Sequence, residues 1–197
     1  MGIFDIFAKK NKSPEYAEKL TLTKFCEILN TQTDINVLKL LELPLSKFTK
    51  ASQKEINSNP KDKKNGVIDV YVNASVNLFG IFNICVYKIF DNGNKQYFFY
   101  TTTKNANIVS EFANSLFFIM GDGISNPKYS SFKDFDKIEN ISKGLVYSEK
   151  DECVNMWIGE CDKNAVLPIY LQYTVNPMQQ FIFQIDENPK GTARMLH

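Results

Sequence analysis

The loop Gly121-Asp122-Gly123 has the most site-like spacing of residues in the chain. An aspartate between two glycines can coordinate a cation or let a ligand approach the backbone, so this loop is the candidate for a carboxylate-based catalytic site. A tight turn that needs a positive φ at glycine explains the same three residues, and we favour that interpretation. The ligand spacing of an EF-hand is missing, and the sequence predicts no metal site.

The other acidic residues and the cysteines are weak candidates for a catalytic or metal site. Glu149, Asp151 and Glu152 surround Lys150 in a predicted loop, a pattern that suits acid–base chemistry but occurs far more often in solvated turns. The cysteines form no C-x-x-C pair, which excludes a zinc ribbon and a thioredoxin-like motif. We expect four reduced thiols and keep a cysteine-based enzyme as a minor alternative: Cys26, Cys85, Cys153 and Cys161.

Histidine and arginine are almost absent, since His197 and Arg194 are the only examples of each. Triads and histidine-based metal sites therefore lack their usual component. One guanidinium and a net charge of +1 disfavour nucleic-acid recognition and arginine phosphate clamps. The sequence favours a protein without catalysis, without a cofactor and without a nucleic-acid partner.

The N-terminal segment, residues 1–12, predicts a short amphipathic helix over residues 2–10. Its apolar residues precede a basic run, which is typical of an amphipathic helix that anchors a protein to an anionic membrane. The residues that would contact the membrane are Ile3, Phe4, Phe7, Lys9 and Lys10. We favour the alternative that the helix packs its isoleucines and phenylalanines onto the domain, because so short a helix binds membranes weakly.

The composition is that of a single globular domain. The chain has 197 residues, of which 44% are hydrophobic and 23% charged, enough for a core without disulfides or metals. The bias toward 20 Asn, 22 Lys, 18 Ile and 16 Phe suggests AT-rich codons and hence a bacterium with a low-GC genome. With no secretory signal and no apolar run near 18 residues, we expect a cytoplasmic protein.

Helix signals fill the first third of the chain. A helix is predicted from Ser13-Pro14-Glu15 to Asn30, with a possible new cap at Thr21 or Thr23. Its apolar face is Leu22, Phe25, Cys26 and Leu29. A second helix is predicted after Asp34 and ends before Pro44, and residues 45–57 are predicted to resume as a helix. Residues 57–66 are predicted to form a loop.

From Val67 the hydrophobic period changes to two. The even-numbered residues from Ile68 to Leu78 are expected to face the core and the odd-numbered ones water. We take four outward polar residues as candidates for partner contact: Tyr71, Asn73, Ser75 and Asn77. Strands over 81–90 and 96–103 complete a meander, with Asn92-Gly93 predicted as a type I′ turn.

A helix over residues 106–120, apolar nearly all round, is predicted to be the most buried helix and to end at Gly121. A short helix is expected near 131–139. Strands are expected near 144–148, 153–159, 167–175 and 181–186. The order β-β-β-α-β-β-β predicts an α+β domain with helices on one face of antiparallel sheet.

The expected organisation is one domain over 13–187, helical over 13–57 and β-rich over 67–187, followed by an irregular tail over 188–197. Trp157 is either an exposed binding residue or a buried one, and buried tryptophan is commoner. We expect a non-enzymatic, cytoplasmic protein-interaction module, by architectural analogy with bacterial immunity proteins and chaperones. The alternatives are a peripheral membrane-associated protein anchored by residues 2–12 and an enzyme with a carboxylate- or cysteine-based site near the Gly121-Asp122-Gly123 loop. The sequence does not indicate the partner, the oligomeric state or the sheet order.

Overall fold

The computed structural model describes residues 20–31, 35–103, 105–125, 152–158, 168–174 and 180–187. Within these ranges the helices are α1 (Leu22–Thr31), α2 (Val37–Leu40), α3 (Gln53–Ser58), α4 (Pro60–Lys64) and α5 (Ala106–Met120), with a 3₁₀ turn at Leu45–Lys47. The strands are β1 (Thr49–Lys50), β2 (Val67–Asn73), β3 (Ile84–Phe90), β4 (Lys95–Tyr100), β5 (Ile124–Ser125), β6 (Glu152–Ile158), β7 (Pro168–Thr174) and β8 (Gln180–Glu187). The predicted α+β class is confirmed.

All eight strands form one antiparallel sheet in the order β1-β2-β3-β4-β8-β7-β6-β5. The predicted meander is β2–β3–β4. The last strand, β8, returns to pair with β4, so it joins this meander to the second one, β6–β7–β8. The two-residue strands β1 and β5 extend the sheet at its edges and were not predicted.

The main core lies on the sheet face that carries the odd-numbered side chains. On α1 the predicted apolar face is confirmed, because Phe25, Cys26 and Leu29 are buried there. Thr21 Oγ1 accepts a hydrogen bond from Lys24 N at 3.2 Å, so the predicted new cap at Thr21 is confirmed. Large buried rings on this face come from four different strands and α5: Trp157, Tyr97, Tyr173, Phe181, Phe183 and Phe112.

A second, smaller core covers the opposite face of β2 and β3. Val70, Val72 and Val86 pack with Ile56 of α3 in a cluster separate from the main core. Helices therefore occupy both faces of the sheet, where the sequence predicted one. Since β2 is covered on both sides, the expectation that one of its faces meets water is wrong.

The predicted loop over 57–66 contains helix α4. Asn59 Oδ1 accepts hydrogen bonds from Lys61 N at 3.1 Å and Asp62 N at 3.4 Å, and Pro60 is the first helical residue. An asparagine cap followed by proline is a normal helix start, so the signal was present but was outweighed by the polar composition. Residues 45–57 are also not one helix, because the 3₁₀ turn and β1 precede α3.

The hairpin between β3 and β4 is tight but is not a type I′ turn. Phe90 N donates to Asn94 O at 2.9 Å, and Gly93 N donates to Phe90 O at 3.0 Å. Gly93 has φ +85°, whereas Asn92 has a negative φ. A type I′ turn needs a positive φ at both central residues, so this is a three-residue loop with glycine in the left-handed position.

Helix α5 has the predicted bounds. Asn105 Oδ1 accepts from Asn107 N at 3.0 Å, and Gly121, with φ +76°, follows the last helical residue. Its apolar residues are not all buried, because Phe118 is 90% exposed. Only one face of α5 is fully buried, through Val109, Phe112, Ala113 and Leu116.

Several predictions fall outside the described residues. These are the helix over 2–10, the helix start at Ser13, the helix near 131–139, the strand near 144–148 and the irregular tail. The second predicted helix, α2, is capped by Asn36 and not by Asp34, because Asn36 Oδ1 accepts from Lys39 N at 2.9 Å.

Candidate functional site: a groove beside helix α5

Glu187 is a buried carboxylate that ties three elements together. It accepts hydrogen bonds from Lys95 Nζ at 2.7 Å, Tyr97 OH at 2.9 Å and Val37 N at 3.0 Å. Burial, followed by the nearby charge of Glu187, raises the pKa of Tyr97 well above its ordinary value. The phenol therefore stays neutral and donates to the carboxylate. With every contact directed into the fold, this group positions β4, β8 and α2.

Asp186 lies on the opposite sheet face in a chain of amides. Its carboxylate accepts from Gln184 Nε2 at 2.7 Å and Gln96 Nε2 at 3.3 Å, and Gln172 Nε2 donates to Gln184 Oε1 at 2.8 Å. Tyr170 also donates to this carboxylate. Burial raises the pKa of Asp186 to about 6. The hydrogen bonds to its carboxylate oppose this rise, because they stabilise the ionised form.

The described thiols are poor nucleophiles. Burial raises the pKa of Cys26 to about 12 and that of Cys85 well above its ordinary value. A thiol needs its thiolate form to attack or to bind a metal. Nor do the described residues include a cluster of His, Cys, Asp or Glu that could hold a metal ion.

The Gly121-Asp122-Gly123 loop is shaped by packing against Trp157. Gly121 and Gly123 have φ +76° and +64°, and a Cβ added at Gly123 would lie 2.7 Å from Trp157 Nε1. The indole Nε1 donates to Gly121 O at 3.0 Å, and its ring meets Phe117 edge-to-face. Of the two interpretations of Trp157, the structure shows the buried one, at 1% exposure. Turn geometry and close approach account for both glycines.

The four polar residues proposed for partner contact do not form one surface. Tyr71 stacks on Tyr87 at 5.6 Å, and Asn73 is buried with its Oδ1 accepting from Ser75 N at 2.9 Å. Ser75 and Asn77 are half-buried. Of the four, Asn77 alone lines the groove described next.

An open groove of about 690 Å³ lies between the start of α1, the exposed side of α5 and the turn that follows β2. Its apolar lining comprises Leu20, Leu22, Phe79, Ile81, Ile108 and Phe112. Its polar lining side chains are Thr21, Asn77, Glu111 and Ser115. The volume is within the range of sites that hold ligand groups or side chains of a partner.

The turn between Leu78 and Phe82 forms one wall of the groove. The two residues bridge through hydrogen bonds of 2.9 and 3.0 Å, and Phe79 and Gly80 between them have φ +55° and +71°. A left-handed phenylalanine is strained by about 1–2 kcal/mol. Contacts of the Phe79 ring with Phe25 at 5.6 Å and Phe112 at 5.9 Å hold it in place. This wall of the groove is therefore held in position by contacts with the main core.

Glu111 gives the groove its charge. It is exposed and is the single ionisable side chain of α5. Among the described lysines, none makes an ion pair with it. The groove thus combines an apolar lining with one negative charge that no lysine in the described part of the chain neutralises.

Most of the groove was missed by sequence reasoning, which found Asn77 alone. Phe79 precedes a turn glycine, where an aromatic residue is unusual, and Glu111 is the lone charge on an apolar helix. Those two signals were available. The convergence of α1, α5 and the turn depends on tertiary packing, which no local pattern encodes.

Within the described part of the chain, no helix has the length and apolarity needed to cross a membrane. Comparisons with protein-family models, with curated proteins and with solved structures find no match to this chain.

Proposed function

We propose that this protein is a binding module without catalytic activity that holds an apolar segment of a partner protein in the groove beside α5. The observation that carries the proposal is the groove itself, with its apolar lining, its polar side chains and its rigid wall at Phe79. An apolar centre with a polar rim is the usual anatomy of a protein interface.

The chemistry of the described groups supports binding over catalysis. Glu187 and Asp186 are satisfied within the fold, and Asp62 is paired with Lys88 Nζ at 2.6 Å. None of these carboxylates lines the groove. Glu111 is the single acidic side chain among the described lining residues, whereas acid–base catalysis commonly uses a pair of ionisable groups.

The partner segment is expected to be amphipathic, with apolar anchors and a basic residue. Two of the walls are helices, and a helix laid in a groove presents anchors at positions i, i+3 and i+4. Glu111 favours a lysine or arginine beside those anchors. The setting we propose is the cytoplasm of a bacterium with a low-GC genome, from the composition alone.

A pair of variants on α5 tests the proposal. Ile108→Glu places a charge in the groove at a half-buried position, whereas Asn114→Glu adds the same charge at an exposed position of the same helix outside the groove. Full-length tagged protein captures partners from lysate of the source organism, and each stoichiometric partner is purified and titrated calorimetrically against the variants.

We expect Ile108→Glu to weaken binding at least tenfold and Asn114→Glu to leave it unchanged, with Trp157 fluorescence confirming that both variants fold. Equal affinity of Ile108→Glu and the wild-type protein would show that the groove is not the binding site. Failure of the wild-type protein to retain any stoichiometric partner would count against an interaction module.

A further inference from the structure

The described chain begins in the wall of the groove. Leu20, Thr21 and Leu22 all line it, and residues 13–19 connect the N-terminal segment to Leu20 in the sequence. Residues that precede Leu20 are therefore tethered at the mouth of this site. A tether of this kind raises the effective concentration of a binding segment to the order of millimolar.

The N-terminal segment has the composition predicted above for a partner. The sequence predicts a helix over residues 2–10, and its apolar residues recur at helical spacing: Ile3, Phe4, Ile6 and Phe7. Lys9 and Lys10 follow directly, so the basic charge that complements Glu111 is adjacent to the apolar anchors.

The connection is long enough to return. Residues 8–19 separate the anchors from Leu20, and a chain of this length spans about 18 Å as a helix or up to about 40 Å when extended. Either length exceeds the width of one helix, about 10–12 Å. The anchors can reach the groove without strain in the connection.

We infer that residues 3–7 of this chain occupy the groove as an internal ligand, with Lys9 or Lys10 against Glu111. The inference rests on the proposed function, since it identifies a competitor for the same site. An external partner must displace the segment, and the intramolecular contact sets the threshold affinity for binding. The protein carries its own inhibitor of partner binding.

Zero-length carbodiimide cross-linking of the full-length chain, read by mass spectrometry, tests the contact. It joins a lysine amine to a carboxylate only when the two are in contact. We expect a link between Lys9 or Lys10 and Glu111, lost in Glu111→Gln and in the double variant Phe4→Asp/Phe7→Asp. The matched variant Phe4→Leu/Phe7→Leu keeps the anchors apolar and is expected to keep the link.

Mixing isotopically labelled and unlabelled chains before cross-linking identifies the source of the segment. Links within one isotope class support an internal ligand, and mixed links overturn it in favour of a second copy. Vesicles of phosphatidylcholine and phosphatidylglycerol are then added. Persistence of the link supports the inference, and its loss with flotation of the protein would assign residues 3–7 to the membrane. Absence of the link in wild-type protein also overturns the inference.

Partner affinity separates this inference from the proposed function. Phe4→Asp/Phe7→Asp is expected to bind the partner about tenfold more tightly than wild-type protein, because the competitor is removed. Unchanged affinity in that variant, with Ile108→Glu still weakening binding, would refute the internal ligand and leave the module intact. If the cross-link forms but Ile108→Glu binds the partner as tightly as the wild-type protein does, the proposed function is refuted instead.

Discussion

Neighbouring carboxylates on β8 serve opposite sides of the sheet. Successive side chains of a strand point to opposite faces, so Asp186 joins the amide chain while Glu187 joins the main core side. Both are buried, but their partners differ. Glu187 receives a lysine ammonium, whereas Asp186 receives only neutral donors, which is why burial dominates its pKa.

Asp186→Asn is expected to change how stability depends on pH. Because the pKa of Asp186 in the folded state, about 6, exceeds the ordinary aspartate value of 3.8, the folded state binds more protons between these pH values. The wild-type protein therefore loses stability as pH rises through this window. The loss is on the order of 2–3 kcal/mol, since each unit of pKa difference contributes about 1.4 kcal/mol. The variant lacks this loss, so its unfolding free energy relative to wild type should rise from pH 4 to pH 8.

Urea unfolding across that pH range measures the effect, with Asp91→Asn as the matched control at an exposed turn. The control is expected to follow the wild-type profile. A constant difference between Asp186→Asn and wild type at every pH would mean that Asp186 is not protonated preferentially in the folded state.

Glu187→Gln is expected to destabilise the fold by about 2–4 kcal/mol, less than loss of a fully buried ion pair because Lys95 is partly exposed. The amide keeps one acceptor oxygen but cannot satisfy the ammonium, the phenol and Val37 N together. Tyr97→Phe removes one hydrogen bond and should lose only about 1 kcal/mol. Equilibrium unfolding in urea compares the two variants. Equal losses of unfolding free energy would contradict the inference that the Glu187 carboxylate supports more contacts than the Tyr97 hydroxyl does.

At the scale of elements, strong periodicity predicted structure well and weak local signals did not. Helix α5 and strands β2 to β4 and β6 to β8 follow from apolar spacing that the sequence displays directly. Helix α4 was missed because its five residues are polar and its start depends on one cap. The groove was missed because its walls are distant in sequence, and the exposed end of α5 at Phe118 shows that composition alone does not fix burial.

The turn from α5 to β5 depends on close packing against Trp157, which Gly123→Ala tests. A Cβ there would lie 2.7 Å from the indole Nε1 and 2.8 Å from Met156 O, at a φ that already disfavours alanine. Gly93→Ala is the matched control, since its φ of +85° is equally unfavourable but no atom lies within 4 Å.

We expect Gly93→Ala to lose about 1 kcal/mol of stability, the strain of a left-handed residue, and Gly123→Ala to lose about 1–3 kcal/mol more through the steric clash. Thermal unfolding measures both, and the Trp157 emission maximum should shift only in Gly123→Ala. Equal losses of stability in the two variants would show that the loop accommodates the added Cβ without displacing the Trp157 indole.

At the scale of the whole molecule, one continuous row of side chains crosses the sheet. Paired positions run from Lys50 through Tyr71, Tyr87, Tyr97, Ile185 and Ile169 to Trp157. Lys50 lies 5.4 Å from the Tyr71 ring, and Tyr87 stacks on Tyr97 at 4.6 Å with an interplanar angle of 2°. Among the described strands, the two meanders are joined through the pair β4–β8, which is hydrogen-bonded along its length. Such continuity favours unfolding as one unit.

Ile56→Ala tests that cooperativity from the far side of the molecule. Ile56 belongs to the small core over β2 and β3, whereas Trp157 lies on β6, beyond β4, β8 and β7 and on the other face. Loss of the buried side chain is expected to reduce stability by about 2–5 kcal/mol. Ile68→Ala, at an exposed position on β2, should change it by less than about 0.5 kcal/mol. If the sheet unfolds as one unit, Ile56→Ala shifts the urea midpoint of Trp157 fluorescence by the same amount as that of far-ultraviolet circular dichroism. A Trp157 transition that stays at its wild-type midpoint while the dichroism transition moves would instead divide the sheet at the β4–β8 seam.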